Sequence, residues 1–460
     1  MLAIQLADAP CSRRRFLTLG SLAVGGLSLS SLFSVHGAAE PNGRLDTGKS
    51  VIFLFQQGGP SQFETFDPKL DAPVEIRTVG GVSSTTVTGL RFGTTFKRLA
   101  TLADKLTVVR SFATGNAEHN IRPIVGPESL NANIGSLFAR VAGATHPVTA
   151  MPTGAVLFPQ SVSADAAKGQ GRGDLAATGN VGAAFAPFVP GGSGQLQKNL
   201  RLNLPAGQFS DRQALLSQLD RLRRVVEPQY DAIDQQQRYA YEVLLSGSVA
   251  DALDLSREDS KVLAKYDTSH HVADHNWNRA RRGARGYYTG HARSLGKALL
   301  LARRLCEAGC RFVTVHTGYE GVWDMHADGE NLNMIDGMEA IGRSFDHAVA
   351  AFIEDVEARG LADKIMLIAT GEMGRTPRLN KNGGRDHWAK LTPLMLYGGG
   401  VPRGKVIGRS TKDGGEPDSD GFTTPNLIST ILHSMLDVGQ LRLKPALGAI
   451  TKLAEATPIG

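Results

Sequence analysis

Residues 311–316 read RFVTVH and residues 364–370 read KIMLIAT. Between them Met338, Ile341, Phe345, Val349, Phe352, Ile353 and Val356 recur at three- and four-residue spacing until Gly360. The flanking runs are short and apolar, as buried strands are, and the spacing between them is that of one helix face. A strand, a crossover helix and a second strand make the two strands parallel, so the loops that follow them open on the same edge of a sheet. Only loop-like residues separate the second strand from the next apolar run at 393–397. Without a crossover helix that third strand is expected to be antiparallel, with its start on the same edge.

Working outward, SVIFLFQ at 50–56 is continuously apolar and breaks into Gly58, Gly59 and Pro60. This is the habit of a central strand covered on both faces. A helical stretch at 94–103 and a strand at 106–109 complete an N-terminal strand, helix, strand unit. Residues 168–197 are dominated by Gly, Ala, Pro and Gln and read as a loop or lid. Beyond them Leu215, Leu216, Leu219, Leu222, Val225 and Val226 share one helix face after a Ser210–Asp211 cap, and 239–245 and 295–305 read similarly. Arg281, Arg282 and Arg285 read as a solvated face or ion pairs rather than a nucleic-acid patch. The expectation is a mixed α/β domain over 40–460 with a loop-rich and helical insertion at about 160–295.

The N-terminus reads as a leader. Ser12, Arg13, Arg14, Arg15, Phe16 and Leu17 precede an uncharged apolar stretch at 18–33 and small residues at 37–39. Adjacent arginines before Phe-Leu specify a twin-arginine signal over 1–39, with the translocon as partner and an extracytoplasmic, periplasmic or secreted, destination. The apolar run is Gly- and Ser-rich and shorter than the roughly 20 residues that span a bilayer, so no stable membrane span is expected after processing. Losing Asp8, Arg13, Arg14 and Arg15 takes the formal charge from +6 to +4, too mild to argue for nucleic acid. Cys11 leaves with the leader; Cys306 and Cys310 read as small core residues, not a disulfide framework.

Three loop regions carry the chemistry: Asp324 and His326 after the first strand, Glu372 and Arg375 after the second, and Arg385, Asp386 and His387 before the third. Two histidines and three carboxylates at one sheet edge are ligand types for a divalent metal such as zinc, manganese or calcium. Arg375 and Arg385 are candidates to hold an oxyanion. A metal-free ionic network is the competing use of the same residues. His316 reads as a satisfied structural histidine, and His270, His271 and His275 as solvated loop residues. The loop at 58–67 lacks the lysine and spacing of a phosphate loop, which excludes that class of nucleotide site.

The segments GGPSQFETFDPK, LDLSRE, LLLARRLCEAGCRFVTV, WDMH, GEMGRTP and GGRDHW occur in that order across nearly the whole chain. Together with the leader they resemble the bacterial domain-of-unknown-function family DUF1501, placed with the sulfatases in the alkaline phosphatase-like superfamily. The resemblance implies a mixed, mostly parallel sheet with helices on both faces and a metal-assisted phosphate- or sulfate-ester site at one edge. It sets Glu372 and Met373 where the superfamily has a metal-binding Asp-His pair, His387 at a later metal histidine, and Asp324 with His326 at an upstream Asp and His. The Asp that closes the superfamily's first strand is replaced by Gln56 and Gln57. Where the superfamily places its nucleophile, this chain offers Ser111, Thr114 and His119. The implied activity is an extracytoplasmic metal-assisted hydrolase; the alternative is a degenerate member acting as a secreted binding or surface protein without catalysis.

Overall fold

The computed structural model describes residues 45–163, 165–166, 172–191, 248–271, 285–318 and 321–460, with the backbone alone at 4–6 and 9–11. The arginines at 13 and 14, the helices expected near 210–226 and 239–245, Arg281, Arg282 and His275 lie outside the described residues.

The central sheet has seven strands. They are β1 (Ser50–Phe55), β2 (Leu106–Val109), β3 (Gly154–Leu157), β4 (Phe312–His316), β5 (Ile365–Thr370), β8 (Leu394–Gly398) and β9 (Lys405–Ile407). A two-stranded ribbon of β6 (Gly374–Arg375) and β7 (His387–Trp388) stands apart from it. The order across the sheet is β9-β2-β8-β5-β1-β4-β3. β5 and β4 flank β1 and run parallel to it, with Ile365 opposite Ser50 and Val51 opposite Phe312. β8 runs antiparallel to β5, as the missing crossover helix requires.

The unbroken apolar runs follow from burial on both faces. Ile52 and Leu54 pack with α5 (Arg285–Glu307) and α6 (Arg343–Ala358); Val51, Phe53 and Phe55 pack with α2 (Ile134–Ala142) and α7 (Thr424–Met435). Fully burying a side chain of this size stabilises by about 1.5–3 kcal/mol, and successive strand residues contribute to opposite layers. The predicted stripe begins on the helical turn Met338–Gly342 and continues along α6, and Gly360, two residues past its end at φ +65°, closes the turn that returns the chain to β5. Cys306 and Cys310 are buried and free.

Part of the insertion docks on the helices of the first layer. Behind α3 (Ser248–Leu253), Glu258 accepts from Arg303 and Arg304 at 2.7 and 3.0 Å and from Arg359 at 2.8 Å. This gives the LDLSRE and ARRLCE segments a structural role: a buried arginine, Arg303, needs carboxylates on every side. α4 (Ser260–Lys265) follows, and Tyr266 donates to Asp355 at 3.0 Å.

Three departures from the sequence reading are physical. β1 and β2 are not neighbours, because β5 and β8 lie between them; the short helix α1 (Lys97–Thr101) does not make a classical crossover to an adjacent strand. The 168–197 stretch is not all loop cover: Leu175, Phe185 and Phe188 are buried, and Phe188 exchanges backbone hydrogen bonds with Gly154 and Val156 at 2.8 Å, extending the sheet edge. β3 and α7 were not foreseen, since four residues beginning with glycine and a helix beginning Thr-Pro carry little periodic signal.

Candidate metal centre

The chain leaves β1 through Gln56, Gln57, Gly58 and Gly59, and this turn wraps the segment after β5. Gly58 N–H donates to both carboxylate oxygens of Glu372, at 2.9 and 3.1 Å. Gly59, at φ +82°, lies so close that a Cβ would fall 2.6 Å from the Met373 Cγ. A side chain at 59 is therefore excluded twice, by backbone conformation and by space. The β6–β7 ribbon pairs Arg375 with His387 and Gly374 with Trp388, which carries His387 back over the edge. Gly384 lets that return close on the loop after β4: a Cβ there would lie 2.4 Å from the His326 carbonyl carbon.

Asp324 is the hub. Its Oδ2 meets His119 Nε2 at 2.9 Å; its Oδ1 meets His326 Nδ1 at 2.5 Å, His387 Nε2 at 3.3 Å and Arg375 Nη2 at 2.7 Å. Burial opposes its charge, but the Arg375 guanidinium and the hydrogen bonds from the three imidazoles hold the carboxyl well below the usual carboxylate range. His119 bridges two carboxylates, its Nδ1 lying 3.1 Å from Glu372 Oε1. Burial works against its protonation, yet the hydrogen bonds to Asp324 and Glu372 raise it to about 9. Glu372 is fully buried, and burial pushes its carboxyl up, partly offset by His119. His387 and His326 are 30% and 22% exposed, so the cluster opens to solvent on their side.

The donors fit a divalent cation. One ligand atom each from His119, Asp324 and His387 lies within 4.8 Å of the others, and two imidazoles with a carboxylate suit zinc or manganese. Carboxylates on both ring nitrogens of His119, Asp324 at 2.9 Å and Glu372 at 3.1 Å, make this a position that favours positive charge. Behind it, Glu372 accepts from Nδ1, the carboxylate–histidine arrangement that fixes a metal-ligating tautomer.

The sequence-predicted residues divide. Asp324 and His387 come together as expected. His119, singled out among the nucleophile candidates, sits instead among the ligand atoms. Glu372 lies behind His119, and His326 is tied to Asp324 and to Asp328 at 2.9 Å. Asp386 is not brought to the cluster; it is exposed and accepts from Asn380 at 3.0 Å. Arg375 and Arg385 face inward. Arg375 donates to the carbonyls of Gly58, Gly59 and Arg385 as well as to Asp324. Arg385 donates to Glu64 and to the carbonyls of Thr376, Pro377, Ile76 and Arg77, with its guanidinium 4.2 Å over Phe63. Both are fully buried, so the structure corrects their expected role: they tie the loops together instead of facing a ligand. Ser111 is buried against Gly408, and Thr114 donates to the Glu372 carbonyl at 2.6 Å. Neither hydroxyl is presented at the cluster. Met373 is buried packing. His316 is structural, as expected: its Nε2 lies 2.8 Å from Gln57 Oε1, its Nδ1 accepts from Gly318, and burial lowers it to about 3. Sequence reasoning passed over Asn331, whose amide reaches Asp324 Oδ2 at 3.4 Å.

Sequence comparison places the chain. It belongs to the family described as "Protein of unknown function (DUF1501)", which matches residues 48–457. No curated protein matches it in sequence. Among solved structures it is similar to the PsFucS1 sulfatase from Pseudoalteromonas sp., at 10% identity over 84% of this chain and 67% of that one, with a TM-score of 0.34. It is similar also to alkaline phosphatase from the Antarctic bacterium TAB5, at 12% identity over 88% and 98% of the two chains, with a TM-score of 0.28. A third is the phosphonate monoester hydrolase SpPMH from Silicibacter pomeroyi, at 10% identity over 84% and 72%, with a TM-score of 0.26. Among the described residues of this DUF1501 chain, no helix is long and apolar enough to cross a membrane.

Proposed function

We propose that this protein is a metal-assisted hydrolase of phosphate or sulfate esters that acts outside the cytoplasm after twin-arginine export. The observation that carries the reading is the buried Asp324 carboxylate ringed by His119, His326 and His387 at the edge where the parallel strands end. His119, Asp324 and His387 would hold the cation, which when bound supplies Lewis-acid polarisation of an ester oxygen and an acidified water. Glu372 holds the His119 ring by its Nδ1, His326 and Asn331 fix the rotation of Asp324, and Arg375 keeps that carboxylate ionised. With Ser111 and Thr114 turned into the fold, water is the nucleophile this site favours over a side-chain hydroxyl. The same burial of the two hydroxyls, with Met373 packed as core, favours the second reading, a degenerate member that is a secreted binding or surface protein without catalysis.

Elemental analysis of the mature protein, with hydrolysis of p-nitrophenyl phosphate and sulfate assayed alongside, tests both. Metal lost on His387→Ala together with metal-dependent turnover supports the hydrolase; metal without turnover of either ester leaves the binding reading. Folded wild-type protein that neither contains nor takes up zinc, manganese or calcium refutes the centre itself.

A further inference from the structure

A second group of histidines converges away from the sheet edge. His270 and His271 lie on a short turn (Ser269–His271) of the insertion, and His347 lies on α6. One ring nitrogen from each falls within 4.8 Å of the other two. His271 Nε2 and His347 Nδ1 are 3.0 Å apart, and the ring centroids are separated by 4.1 to 5.1 Å. Two nitrogens bound tetrahedrally to zinc at about 2.0–2.1 Å stand about 3.3 Å from each other, so the pair is already near the spacing a shared ion needs.

One of the rings is also held as a ligand is held. His347 Nε2 lies 2.8 Å from the Lys265 carbonyl. Its N–H is thereby assigned to that side, and the Nδ1 lone pair is left facing the cluster, the backbone-carbonyl form of the support that metal-bound histidines carry. The turn that presents His270 and His271 is fixed by Asp267, which accepts from Ser269 N–H at 2.9 Å, and by Thr268, whose hydroxyl accepts from Gly296 N–H at 3.3 Å. The two nearby guanidinia have their own carboxylates: Arg98 pairs with Glu354 and Arg343 with Glu339. The sequence reading of His270 and His271 as solvated loop residues overlooked the third partner, which comes from a different element.

We infer that His270, His271 and His347 form a second metal site, independent of the Asp324 centre, which clips the insertion to α6. Three imidazoles without a carboxylate select zinc, nickel or copper(II) over calcium, magnesium or manganese. His270 is exposed, which leaves the fourth position open to water.

The test uses the full mature chain with the Asp324 centre disabled by His119→Ala and His387→Ala, so that failure of one site is separable from failure of the other. Zinc titration of this double variant is expected to show one remaining equivalent per chain, lost on adding His347→Gln and, independently, His271→Gln. Cobalt(II) in place of zinc should give the visible absorption of a low-symmetry site, and calcium should not compete. Circular dichroism establishes that each variant is folded. A folded double variant that takes up no zinc overturns the inference, as does an equivalent that survives both His347→Gln and His271→Gln.

Discussion

Glu372→Gln isolates one electrostatic contribution to the candidate centre. In the structure Glu372 Oε1 takes both the Gly58 N–H, at 2.9 Å, and His119 Nδ1, at 3.1 Å. A glutamine with its carbonyl oxygen at that position keeps those two contacts and the side-chain volume; it removes the charge and the weaker Gly58 contact to Oε2, at 3.1 Å. The metal-free fold should tolerate this, because burial already penalises the ionised carboxyl. The bound state should not. Removing the carboxylate behind a metal-ligating histidine costs about 10- to 100-fold in metal affinity, which is about 1.4–2.7 kcal/mol. Competition between the protein and a chromophoric chelator measures the shift, with thermal denaturation of the metal-free protein as the folding control. Zinc and manganese affinities within twofold of wild type, in a variant whose fold is intact, would refute the assignment of His119 as a ligand oriented by Glu372.

Arg375→Met should destabilise the protein by about 3–5 kcal/mol, because it strands the buried Asp324 carboxylate beside its imidazoles; an unchanged melting temperature would return Arg375 to a ligand-facing role. His291 is fully buried and burial lowers it from 6.5 to about 3. Its folded pKa lies below its unfolded one, so the unfolded chain binds the extra proton and stability falls as pH drops below about 6.5. Relative to His291→Met, the wild type should lose about 1.4 kcal/mol between pH 7.5 and 5.5, read from urea unfolding at the two pH values; parallel profiles would contradict it. Replacing Arg13 and Arg14 together with lysine should leave the precursor in the cytoplasm on cell fractionation, and export at wild-type yield would count against the twin-arginine route.

The sheet was legible because its central strands are buried on both faces and so print as unbroken apolar runs. The crossover between β4 and β5, with the antiparallel return to β8, then fixed which loops share an edge, and so placed Asp324, Glu372 and His387 near one another from the sequence. What the letters do not carry is the direction of a side chain at the end of a strand. Arg375 and Arg385 read as anion holders because a guanidinium suits one, but the tight Gly58–Gly59 turn brings backbone carbonyls against the first, and Glu64 with four carbonyls surrounds the second. Asp386 alternates with His387 on the β7 ribbon entry, so aiming the histidine inward aims the aspartate out. His119 was visible only as a member of the segment after β2, whose place in the sheet no local pattern reveals. His347 is 76 residues from His271, inside a helix whose apolar stripe drew the eye to its other face.

The electrostatics of the edge also bear on how many cations the proposed centre would hold. Where the first strand would end in an acid, Gln57 pairs its amide with His316, which burial keeps neutral; this corner therefore offers no anion to a second ion. Where a second histidine would stand, Met373 fills the space beside Gly59 and is a poor donor to a hard cation. Among the described residues the carboxylates that touch His119 are Asp324 and Glu372, and Arg375 offsets one of them from 2.7 Å; Asp328 stands farther out, on His326 Nε2 at 2.9 Å. If the proposed centre forms, that balance would favour one divalent charge over two in a low-dielectric environment.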